Sequence, residues 1–144
     1  MSRVYLMAAD KPLPLCDRQA ERTSVIRAMG KSFTVTTVRG FRVAEHSYYR
    51  HAVDILDYPI KPHQYELELE CHPDDLAHLQ AYLHSNFAPG ETVELWSIWV
   101  GVDQSRPIRY SGTLAEVDLD TLDQLLNPPV RNDAPGQCCL TVRI

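Results

Sequence analysis

The chain has 144 residues, 44% of them hydrophobic and 23% charged, with a formal net charge of −5. That length suits one domain with a core large enough to need no covalent staples, and the composition excludes an intrinsically disordered chain. The acidic balance argues against nucleic acid or an anionic membrane as partner, since either would need a basic patch.

The first apolar run, Val4 to Ala9, stops at Asp10 and is too short for a signal-peptide core, and no stretch approaches a membrane span. The expectation is a cytoplasmic protein whose four cysteines are thiols, with no cofactor. "RVYLMAA" (3–9) and "SFTVTTV" (32–38) have the look of strands, and "DKPLPLC" (10–16) must be extended because each proline disfavours helix in the residue before it. "RQAERTSVIRAMG" (18–30) fits a helix ended by Gly30, and "AEHSYYRHAVDIL" (44–56) fits a helix or an irregular connection.

The second half has clearer signals. "YELELEC" (65–71) alternates strictly, with Tyr65, Leu67, Leu69 and Cys71 on one face and Glu66, Glu68 and Glu70 on the other, so it predicts a half-buried strand. His72 then opens a helix, with Pro73 at its first position and Asp74 and Asp75 complementing the dipole; Leu76, Leu79, Leu83 and Phe87 form its buried stripe until "APGE" stops it. "TVELWSIWVGV" (92–102) and "IRYSGTLAEV" (108–117) predict strands, "DLDTLDQLLN" (118–127) a short helix, and "CCLTVRI" (138–144) a final strand. The order strand, helix, strand, strand, helix, strand predicts a ferredoxin-like α+β fold, its sheet running 4-1-3-2 with both helices on one face. The whole of 1–144 is expected to be a single domain, with 1–62 an N-terminal extension that extends or covers the sheet of a 63–144 core.

The opening "YLMAADKPLPLCD", together with "VELWSIWVG" much later, resembles a group of small bacterial proteins that begin with an aliphatic strand and a D-x-P-L-P turn. That resemblance implies no activity, cofactor or site residue.

The stretch "ECHPDDLAHLQAYLH" (70–84) is rich in ligand-type side chains. His72, His78 and His84 are six residues apart, however, so successive ones are rotated by about 120° around a helix and cannot converge on a metal. In a 4-1-3-2 sheet, Cys71 at the end of the first strand would meet Cys138 and Cys139 at the start of the last, with His72 beside them. That set has zinc chemistry, but it lacks a C-x-x-C pair, and neighbouring strand residues point to opposite faces. Buried core thiols are the expected outcome, with no metal.

Cys16, with Arg18 and Arg22 near in sequence, is a candidate nucleophile only if a distant histidine is brought to it. No P-loop, G-x-S-x-G or dinucleotide fingerprint is present. No catalytic residue is therefore assigned.

The sheet's outer face offers the interaction candidates. Glu66, Glu68 and Glu70 would lie there, flanked by Arg109 and Arg143. Trp96, Ile98 and Val100 would lie there too, on an edge strand apolar on both faces that demands cover from the N-terminal half or a second subunit. The expected function is a non-enzymatic module recognising a protein or small polar partner, as monomer or homodimer. The alternative is a small hydrolase or transferase using Cys16, His46 or His51.

Overall fold

The computed structural model describes residues 2–47, 50, 59–100, 106–128 and 136–144, and among them the side chains of Ser2 and Val100 are left aside. Within these residues the chain is α+β, with nine strands and two α-helices. The strands are β1 (Ser2–Ala9), β2 (Cys16–Asp17), β3 (Ala20–Ala28), β4 (Lys31–Arg39), β5 (Arg42–Glu45), β6 (His63–Glu68), β7 (Thr92–Val100), β8 (Ile108–Thr113) and β9 (Cys138–Arg143). The helices are α1 (Pro73–Asn86) and α2 (Leu119–Leu126).

Seven strands form one sheet in the order β2-β5-β6-β1-β7-β9-β8, while β3 and β4 form a separate two-stranded hairpin. Every pairing in the large sheet is antiparallel except β8 with β9, which is parallel. This is not the expected 4-1-3-2 arrangement, which would place β9 beside β6 and leave β7 on an edge. Instead β1 inserts between β6 and β7, with Leu6 opposite Glu66 on one side and opposite Trp96 on the other. The physical reason lies in β1 itself. Val4, Leu6 and Ala8 on one face and Met7 and Ala9 on the other are all buried, and only a central position with both faces covered allows that. The N-terminal segment therefore extends the sheet from its middle outward, through β1 and then β5 and β2.

The helices pack on one face over Met7, Leu67, Leu69, Val93, Leu95, Leu140 and Val142, and with Leu79, Leu83, Leu122 and Leu125 they make the main core. The opposite face carries a smaller cluster of Val4, Leu6, Ala8, Trp96, Ile98 and Cys139, with Ile60 packed against it. Helix α1 follows the expected stripe, starting at His72, whose Nδ1 accepts from the Asp74 backbone N–H at 3.1 Å. The strand expected over 108–117 stops at Thr113. There Glu116 Oε1 accepts from both the N–H (3.0 Å) and the hydroxyl (2.9 Å) of Thr113 and closes a 3₁₀ turn over Leu114–Glu116.

The largest departure from expectation is at 18–30. It forms no helix there; most of it is β3, paired with β4 along its whole length from Ala20↔Arg39 to Ala28↔Lys31. Most of the segment 44–56, His51 included, lies outside the described residues.

Candidate functional site

The β3–β4 hairpin stands off the body as an arm. Its strands pair with each other and with no other described strand. A two-residue turn joins them, with Met29 at φ 55° and Gly30 at φ 70°, the signs a type I′ turn demands. Along the arm Val25 (66%), Ile26 (49%), Phe33 (48%) and Val38 (64%) are exposed, and Met29 at the tip is 95% exposed. Ile26 and Phe33 face each other across the ladder, on the same side as Val35.

The base of the arm is locked electrostatically. Arg22 of β3 makes a close ion pair with Oδ1 of Asp75 in the first turn of α1, and reaches Asp75 Oδ2 at 3.2 Å and Glu70 Oε2 at 2.7 Å. Arg39 of β4 reaches Glu70 Oε1 at 3.0 Å, so one carboxylate joins both strands of the arm. Asp75 is wholly buried, and its other oxygen accepts from the Glu70 backbone N–H at 2.7 Å. Burial pushes the Asp75 carboxyl up, but the hydrogen bonds from Arg22 and the Glu70 N–H outweigh it and hold the group below the usual carboxylate range. The same contacts, that with Asp75 foremost, raise the Arg22 guanidinium above its ordinary value.

The residues expected on an interaction face are distributed differently. Trp96 and Ile98 are fully buried within the single chain, because β7 lies inside the sheet rather than at its edge. Leu6 is opposite Trp96, the Arg109 guanidinium sits 5.3 Å from the Trp96 ring centre, and Trp96 Nε1 donates to Glu94 Oε1 at 3.2 Å. Glu68 is exposed and takes bonds from Gln19 (2.7 Å) and Arg42 (3.4 Å), while Glu70 takes Arg22 and Arg39. Arg109 and Arg143, the partners expected for these glutamates, lie across the sheet on β8 and β9, with three and two strands respectively between them and β6. Glu66 is half-buried, and its Oε1 has no hydrogen-bond partner among the described residues. The side chain of Val100 lies outside those residues.

The expected cysteine corner does not form. Two strands, β1 and β7, separate β6 from β9, and Cys71 is exposed rather than buried, its Sγ donating to Leu119 O at 3.3 Å. Cys138 and Cys139 are buried, and burial pushes their thiols up to about 11 and about 12. Among the described residues no three His, Cys, Asp or Glu side chains are grouped to hold a metal ion.

Two clefts involve the candidate catalytic residues. One of about 460 Å³ brings Cys16 and Arg18 together with His78, Tyr82 and Asn86. No described hydrogen bond joins Cys16 to His78, and the Tyr82 hydroxyl is committed to Pro14 O at 2.6 Å. The other, of about 620 Å³, is polar and lined by His46, Arg50, His63 and Gln64. The arm and the Arg22–Asp75 lock are the features that sequence reasoning missed. The β-branched run "TSVI" and the "MG" pair ahead of the β-branched run in "KSFTVTTV" were the available signals.

The chain matches no family model, no curated protein and no solved structure. No helix among the described residues is long and apolar enough to cross a membrane.

Proposed function

We propose that the chain is a protein-interaction module whose working element is the β3–β4 arm. The observation that carries this is the exposure of Val25, Ile26, Met29, Phe33 and Val38 on a two-stranded hairpin that no other described strand supports. A two-stranded hairpin is marginal in water by itself, and exposed apolar side chains gathered on one element mark a surface meant to be covered. The buried Arg22–Asp75 contact supports the same reading, because it fixes the arm's base firmly while leaving its outer half bare. The partner is a protein surface that supplies strand edges or apolar side chains, rather than a nucleic acid, given the net charge of −5.

A photo-crosslinking side chain placed at Phe33 or Met29 tests this in the cell of origin. Discrete adducts from these positions are expected, with none from His84, an exposed control on α1. Adducts no more frequent at the arm than at His84 overturn the proposal.

A further inference from the structure

We propose that the partner of the arm is a second copy of the same chain, joined edge to edge through β3 in an antiparallel, two-fold pairing centred on Ser24. This rests on the arm being the interaction element and adds which edge it uses, in what register and with what partner.

Three observations lead there. The first is hydrogen-bond phase. The two-residue turn makes Ala28↔Lys31 the closing hydrogen-bonded pair, and such pairs alternate along an antiparallel ladder. The even-numbered residues of β3 therefore spend their backbone groups on β4. Glu21, Thr23, Val25 and Arg27 point theirs outward, at an edge that no described strand occupies. Pairing two copies of β3 with Ser24 opposite Ser24 brings these outward groups together, Glu21 with Arg27 and Thr23 with Val25, each twice by symmetry.

The second is charge. Glu21 and Arg27 are both exposed, share one face of the arm, and form no ion pair with any described residue. They stand three residues either side of Ser24, so the two-fold register sets each glutamate against the other copy's arginine. Self-pairing of β4 about its own midpoint, Val35, would instead oppose Lys31 to Arg39, a like-charge contact. The charges therefore favour one edge over the other.

The third is length. Ser24 is the midpoint of Ala20–Ala28, so this register pairs the entire strand and no residue of β3 is left over. The product is a four-stranded antiparallel sheet, β4-β3-β3-β4, in which Ile26 and Phe33 of both copies lie on one continuous face. That meets the three-strand minimum for an independently stable sheet. The contact is isologous and closes at two copies, so no polymer follows.

The test is a charge-swap series read by sedimentation equilibrium. Wild type should have twice the 16.4 kDa chain mass. Arg27→Glu and Glu21→Arg should each weaken the dimer at least about tenfold, since each replaces two attractive contacts by two repulsive ones. The double variant Glu21→Arg with Arg27→Glu should restore it. Both positions are exposed on the arm, so the fold is not at stake, and circular dichroism identical to wild type checks this. In a Cys71→Ser background, Ser24→Cys should cross-link copies under mild oxidation, because directly opposed residues lie within disulfide reach. A monomeric wild type, single reversals without effect, or a double variant that stays dissociated overturns the self-pairing. If that happens while Phe33 still cross-links to a different protein, the interaction reading stands and only the choice of partner falls.

Discussion

Asp75 stays ionised although it is wholly buried, because Arg22 and the Glu70 N–H between them donate to both of its oxygens. Its folded-state pKa lies below its ordinary value of 3.8, so the contribution to stability is complete above about pH 4 and is lost as pH falls through the depressed value. Asp75→Asn keeps the shape but leaves the largely buried Arg22 guanidinium with Glu70 as its remaining carboxylate partner, and it should cost about 2 kcal/mol in urea unfolding at neutral pH. The same variant should flatten the loss of stability that wild type shows on acidification below about pH 4. A cost under about 1 kcal/mol would place the pair with ordinary surface ion pairs. The sequence shows Asp75 only as an acid in a first helical turn, where carboxylates are common on dipole grounds alone. Its partner is 53 residues away in another element, and no local pattern points to it.

The arm illustrates the same limit for a whole element. Alternation is visible in a strand when one face is buried, as in β6, where Leu67 is buried and Glu68 exposed. Neither face of the outer arm is buried, so β3 was never constrained to alternate, and Gly30 at its end is equally compatible with a helix stop. What marks it as a hairpin is the turn. Both Met29 and Gly30 have positive φ, and a Cβ built on Gly30 meets no atom within 4 Å. The demand for glycine there is conformational rather than steric. Gly30→Val should therefore destabilise the arm by about 1–2 kcal/mol while leaving the body intact. Hydrogen exchange should show faster exchange at Ile26 and Phe33 and unchanged exchange at Leu95 and Leu140. Unaltered protection in the arm would mean that the turn does not limit its stability.

At the scale of the molecule, the local elements of the second half were legible and their arrangement was not. Strand β6, α1, β7, β8, α2 and β9 follow one another in chain order as their patterns predict, but a pleated pattern says which face is buried and not which strand lies alongside. The deciding residues are outside that half. Val4, Leu6 and Met7 are apolar on both faces of β1, and Trp96 and Ile98 opposite them are apolar on a strand whose other face carries Leu95. Two such strands satisfy each other only as neighbours in the interior of a sheet, which makes β1 the partner of β7 and places it between β7 and β6. The expectation is that residues 63–144 do not fold on their own, since within the sheet β6 and β7 are joined through β1. A fragment of residues 63–144 should lack cooperative unfolding by circular dichroism and should aggregate, as the bared edges of β6 and β7 seek other strands. Adding a peptide of residues 1–10 should suppress the light scattering by refilling the gap between them. A soluble fragment with a single cooperative transition would show that the second half closes its sheet without β1, and would overturn the central place assigned to that strand.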